Sequence, residues 1–205
     1  DPGFSPMNAF FNLSAVYATA GRFDEALAAN DRAITWASQH LGADHPAVGK
    51  YRRHRALLLL NLGRLAEAIE EGQAALQILT SWYGPDDVRL AGVHLHLADA
   101  FLRNGDAKAA LPHLDRGLAC ARAGEDLDVI AEIQSQRAIF FIRTNELDQA
   151  ATAAAEVVDS ITRRRGPRAL SLIDPLMVKG YIAREQDRLA DSERDFQSAL
   201  TLCEQ

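Results

Sequence analysis

The sequence predicts an all-α fold, a solenoid of five helix–turn–helix units with ten helices, and three observations predict it. GRFDEA at residue 21 returns as GRLAEA at 63, GDAKAA at 105, NELDQA at 145 and DRLADS at 187, at intervals of 42, 42, 40 and 42 residues. Self-similarity at a fixed period marks a repeat architecture. Apolar residues between these points recur at steps of three and four, the spacing of one helical stripe, and no segment sustains the alternation of a strand. Small residues also stand in register: Ser14, Ala56, Ala98, Ala138 and Gly180 before the turns, then Ala26, Ala68, Ala110, Ala150 and Ser192, and Ala33, Ala75, Gly117, Val157 and Ala199 after them. Small side chains let helix axes approach closely, and the larger Tyr17, Leu59, Phe101 and Phe141 fill the space beside them; Ala183 breaks that column.

Each unit has its own punctuation. The first, about residues 5–41, turns at Gly21 and ends at Gly42 in LGADHPAV. The second, 44–83, turns at Gly63, carries the stripe Leu65, Ala68, Ile69, Ala75, Leu76 and Leu79 with a skipped turn at Gly72, and ends at Gly84 in YGPDDVRL. The third, 86–124, leads into Gly105 with Val93, Leu97, Ala98 and Phe101; it has Asp126 where the others have glycine and is two residues shorter, so its loop should differ. The fourth, 126–164, turns at Asn145 and ends at Gly166 in RGPRALSL, and the fifth, 168–205, turns at Asp187. Gly, Asn and Asp tolerate the left-handed backbone that ends a helix, and glycine followed by proline stops one helix and starts another. Pro112, six residues into its helix, and Pro175, inside or at the start of the ninth, should each kink or delay a helix, at about 3 kcal/mol where truly interior.

Composition narrows the function classes. The net charge is −6, which argues against a nucleic-acid partner, because duplex affinity rests on Lys and Arg neutralising phosphates. The longest apolar runs, such as Ala56–Leu60, are five residues, far short of a membrane span, and the first residues lack a basic and apolar secretion pattern, so export is not expected. Cys120 and Cys203 lie late in two amphipathic segments, where buried reduced thiols and a cytoplasmic location are the expectation. No phosphate loop, GxSxG elbow or HExxH occurs, so no enzyme and no cofactor are expected.

The stretch SAVYATAGRFDEA sets a small residue, a large aromatic three later, then glycine and an acidic-Ala pair. It resembles the tetratricopeptide repeat, and the 42-residue unit with its GADHPAV loop is similar to the kinesin-light-chain-like branch, also common in bacterial regulators. The resemblance implies a right-handed stack in which the first helix of each pair lines a concave wall that binds extended or helical peptides. The positions of the clamp that chaperone-binding members use for a terminal carboxylate hold Phe11, Ala15, His54, Gly92 and His96, or one repeat later Arg53, Leu57, His96, Glu132 and Gln136, and neither set can form it.

On such a wall, residues one repeat apart form ladders. Nine before each turn stand Asn12, His54, His96, Gln136 and Val178; two before stand Thr19, Asn61, Arg103, Arg143 and Glu185. An Asn at the first ladder commonly bonds a peptide backbone in the family, and Asn12 matches that. Lys50 and Arg53 near His54 make the middle of the wall basic in an acidic molecule, so the expected partner is a protein or peptide segment of acidic character. The candidate binding residues are therefore Asn12, Lys50, Arg53, His54, Asn61, His96, Asp99, Arg103, Gln136 and Arg143. A metal held by His54, His96 and Asp99 is disfavoured, because imidazole sites need three or four convergent ligands and no further Cys or His aligns. The run Arg163–Arg165 with Arg168 is expected in an inter-repeat loop, with an anion contact as its weaker reading.

The chain is thus expected to be a protein- or peptide-binding scaffold, the interaction part of a larger bacterial regulatory protein. The alternatives are a peptide-responsive signalling regulator and an oligomerisation module. Truncation is expected at both ends, since DPGFSP resembles the inter-repeat loops and no polar helix covers Leu189, Phe196 and Leu200. Self-association through the last repeat follows as an expectation.

Overall fold

The computed structural model describes residues 6–204. Among them the regular elements are all helical: α1 (Pro6–Thr19), α2 (Phe23–Leu41), α3 (Pro46–Asn61), α4 (Leu65–Tyr83), α5 (Ala91–Arg103), α6 (Ala107–Ala123), α7 (Leu127–Arg143), α8 (Leu147–Arg165), α9 (Ile173–Glu185) and α10 (Leu189–Cys203). Short 3-10 turns at Val88–Leu90 and Leu170–Leu172 lead into α5 and α9. The start of the DPGFSP stretch, residues 1–5, lies outside the described residues. The chain divides into two compact units, one ending at His113 and one beginning at Leu114.

The five turns of the repeat close in the same way. Gly21, Gly63, Gly105, Asn145 and Asp187 take positive φ angles of 74°, 72°, 83°, 62° and 57°. In each, the N–H of the following residue donates to the carbonyl five positions back: Arg22 to Tyr17, Arg64 to Leu59, Asp106 to Phe101, Glu146 to Phe141 and Arg188 to Ala183. This is the helix stop that satisfies orphan carbonyls with a left-handed residue, so the position of the large residues, filled by Ala183 in the last unit, also supplies the carbonyl that closes each corner. No heavy atom lies within 4 Å of where a Cβ on Gly21, Gly63 or Gly105 would be, so backbone conformation rather than space selects glycine there.

Where Asp126 replaces glycine, the loop does differ. The chain makes a second tight corner, with Glu125 left-handed at φ 52° and the Asp126 N–H donating to the Ala121 carbonyl. The Asp126 carboxylate then accepts from the Val129 N–H at 3.2 Å and caps α7. Pro112 lies inside α6, whose start at Ala107 is not delayed. Pro175 is the third residue of α9, in the first turn, where the missing N–H has no helical partner to lose.

All three columns of small residues are buried, and Leu59 and Phe141 with them. In the first unit Ala26, Leu58, Leu59, Leu60, Ala68 and Ala100 pack with Tyr17, Phe23 and Leu65. A second cluster sets Ala33, Ala37, Val48 and Tyr51 against Met7, Phe10 and Phe11. Buried polar groups fasten these layers: Asn30 Nδ2 donates to the Tyr51 carbonyl at 3.0 Å, and the Tyr51 hydroxyl to Asn8 Oδ1 at 3.1 Å. In the second unit Leu172, Leu176, Ala199 and Leu202 join Val158, Ile161 and Ile173.

Candidate ligand-binding face

α3 carries Lys50, Arg52, Arg53, His54 and Arg55 in six residues, and helical geometry deals them to two faces. Arg52 and Arg55 meet carboxylates. Arg52 Nη1 lies 2.9 Å from Glu71 Oε2, while Arg55 reaches Asp31 Oδ1 at 2.7 Å and Glu71 Oε1 at 3.2 Å. Arg53 has no hydrogen bond or ion pair among the described residues. Its guanidinium lies against α5, where a Cβ on Gly92 would fall 2.5 Å from its Nη1, and burial pulls its pKa below the usual range.

The imidazoles beside it are pushed towards the neutral form. Ser14 Oγ spends its one proton on the Ala26 carbonyl at 2.8 Å, so the 3.2 Å contact with His54 Nε2 requires that nitrogen to donate. Burial, then the charges of Arg53 and Lys50, lower the His54 pKa. His96 is held down to about 4, first by burial and then by Arg53 and His54, and its Nδ1 is buried without a partner. At the edge of the cluster the Phe11 ring meets His54 edge-on at 5.0 Å, and Lys50 Nζ sits 4.5 Å from the centre of the Phe11 ring.

Lys50, Arg53, His54 and His96 are thus gathered on the α3 and α5 face of the first unit. Asn12 is exposed on α1. Asn61 is exposed, with its Nδ2 donating to the Leu57 carbonyl of its own helix. Arg103 is exposed but not a free cation: it pairs with Asp99 at 2.8 Å and its Nη1 reaches the Leu60 carbonyl. In the second unit Gln136 is half-buried and Arg143 exposed on α7. No group of three or more His, Cys, Asp or Glu side chains among the described residues could hold a metal ion.

Three expectations are corrected. Arg163–Arg165 form the last turn of α8 rather than a loop, and acidic partners hold them: Arg163 pairs with Asp159, Arg164 and Arg165 with Asp128. Cys203 is exposed, because α10 turns that side outward; Cys120 is buried. Phe196 packs its ring within 3.2 Å of where a Cβ on Gly180 would be, so it fills its own hairpin and is not open beside Leu189 and Leu200. The sequence also gave no sign that His94 and His113 meet, Nδ1 to Nδ1 at 3.0 Å, with Phe101 stacked on His113.

Helical hairpins repeated about a left-handed corner, with small residues buried in register and one ladder of polar residues left exposed, define a hairpin-repeat protein. The chain belongs to the tetratricopeptide repeat family: models described as tetratricopeptide repeat match residues 12–47 and 50–123. Neither model describes a catalytic family. No curated protein matches the chain. Among solved structures, BtubC (BKLC) from P. vanneervenii superposes with a TM-score of 0.82 at 16% identity, over 93% of this chain and 76% of that one. A Podosopora anserina putative kinesin light chain with nearly identical TPR-like repeats gives 0.77 at 14%, over 97% and 96%. The apo form of RapI gives 0.82 at 13%, over 97% and 70%. At these identities the likeness is one of fold. No helix among the described residues is long and apolar enough to cross a membrane.

Proposed function

We propose that the chain, acting as a single repeat array over residues 1–205, is a protein- or peptide-binding scaffold that uses the face carried by the first helix of each hairpin. One observation carries this reading. Thr19, Asn61, Arg103, Arg143 and Glu185 are all exposed, while the small residue five positions before each is buried, so every first helix keeps one side in the core and leaves a polar residue outward, beside exposed apolar ones such as Val16 on α1, Ile139 on α7 and Met177 on α9. Asn12, Lys50, Arg53, His54, Asn61, His96, Asp99, Arg103, Gln136 and Arg143 are the proposed contacts. The solved structure of YrrB, described as a TPR protein with an unusual peptide-binding site, shares the fold with a TM-score of 0.59 at 16% identity, which supports the reading by analogy.

The partner segment is acidic in this reading, since Lys50 and Arg53 have no carboxylate beside them among the described residues. The setting is cytoplasmic, as part of a bacterial regulatory protein, by analogy with the repeat type. A displayed random-peptide selection tests the proposal. Binders should be enriched on the wild type and lost on a Lys50→Ala, Asn61→Ala, Arg103→Ala triple variant that keeps its helical content. Equal binding by that variant contradicts it.

Self-association through the last hairpin is a second reading, favoured by Leu189 at 65% and Leu200 at 58% exposure on α10.

A further inference from the structure

A half-buried guanidinium without an anion is costly, because lost hydration is returned only by a counter-charge or by hydrogen bonds. Elsewhere the chain provides that return: the half-buried Arg52, Arg55 and Arg137 each lie against a carboxylate. Arg53 is different. Gly92 leaves out the side chain that would displace its Nη1, and one turn along α5 from Gly92 stands His96, whose buried Nδ1 also has no partner. The site is thus a fork of N–H donors and an unsatisfied imidazole nitrogen, with the Lys50 charge at its edge, and α3 spends its two neighbouring arginines elsewhere.

We infer that Arg53, resting over Gly92 beside the imidazoles of His54 and His96, is the receptor for one carboxylate of the partner segment. This rests on the reading that the face holds such a segment. A carboxylate fits because its two oxygens match the planar fork of a guanidinium. A metal cation does not fit, since the cluster is already positive. The five-residue terminal clamp is not formed, because Leu57, Glu132 and Gln136 stand at the positions beside Arg53 and His96 where it would need further donors. The receptor is a single arginine with a glycine for its floor.

The test needs no cognate partner. The isotope-labelled full chain is titrated with sodium acetate against sodium chloride at constant ionic strength, following the arginine Nε–Hε resonances, with that of Arg53 identified by its loss in Arg53→Gln. Acetate should shift the Arg53 resonance saturably and leave Arg52 and Arg55 in place, and Gly92→Ala should weaken the shift. A shift no larger than that of Arg55, or one reproduced by chloride, overturns the inference. A peptide with Glu between blocked ends and a neutral peptide with a free C-terminus then show whether side-chain or terminal carboxylates reach the site; if neither moves Arg53, the inference falls. Peptides selected on the wild type should bind Arg53→Gln roughly 10- to 100-fold more weakly. If binders are selected and Arg53→Gln holds them equally well, the inference fails and the peptide-binding reading stands. If none is selected while acetate still shifts Arg53, that reading fails and the anion receptor stands.

Discussion

Arg53 and Gly92 occupy one space: the guanidinium comes within 2.5 Å of where a Cβ on Gly92 would stand. The obstacle to a side chain at 92 is therefore the free end of a flexible residue, whereas at Gly72 it is the packed side chain of Leu97, at 2.7 Å. Gly92→Ala should leave stability within about 0.5 kcal/mol of wild type while displacing Arg53. Gly72→Ala should cost about 1–3 kcal/mol through overpacking. Urea unfolding separates the two, and equal losses would mean that Arg53 is locked in place.

Arg53 and Arg55 should respond oppositely to removal. Arg53→Met deletes an unpaired, partly desolvated charge and should raise stability by about 1 kcal/mol, as expected of a residue kept for binding. Arg55→Met abandons Asp31 and Glu71 and should lower it by about 1–2 kcal/mol, a figure reduced because the group is partly exposed. Thermal melts of both variants check this; a loss in Arg53→Met would make that residue structural.

Acid should weaken the first unit. The His96 pKa is about 4 in the fold against 6.5 for the ordinary imidazole, so the unfolded chain takes the proton first. Its contribution is fully present above pH 6.5 and is lost as the pH falls from there towards 4, a gap worth roughly 3 kcal/mol. His54 and His113 are also lowered and act in the same direction. Urea midpoints at neutral and mildly acidic pH should show the loss, and His96→Asn should flatten the dependence.

Leu200 and Phe196 separate surface from core on α10. Leu200→Asp should leave the helical signal and melting point close to wild type and abolish any concentration-dependent rise in mass. Phe196→Asp should destabilise the last hairpin by about 3 kcal/mol or more, because it puts a charge against Gly180. Light scattering beside circular dichroism reads both; a wild type that stays monomeric at high concentration removes the self-association reading.

The corners were legible because a left-handed residue leaves few choices, and Gly, Asn and Asp announced it at all five. The buried columns were legible for a similar reason, since small residues in register have one use in packed helices. Side-chain pairing was not legible in this way. Lys50, Arg53 and His54 could be read as a basic group, but which arginines of α3 are neutralised depends on Asp31 and Glu71, which fold back from α2 and α4. Arg103 illustrates the same limit: it stood out as a wall cation, and Asp99 one turn earlier answers it. His94 and His113 lie on different helices, and nothing in their spacing signals their contact.

Amide shift mapping of the full chain with a peptide taken from the display selection tests the central claim most directly. The account predicts that perturbations gather on α1, α3 and α5 around Asn12, Lys50, Arg53, His54 and His96. Perturbations confined to α2 and α4 would contradict it.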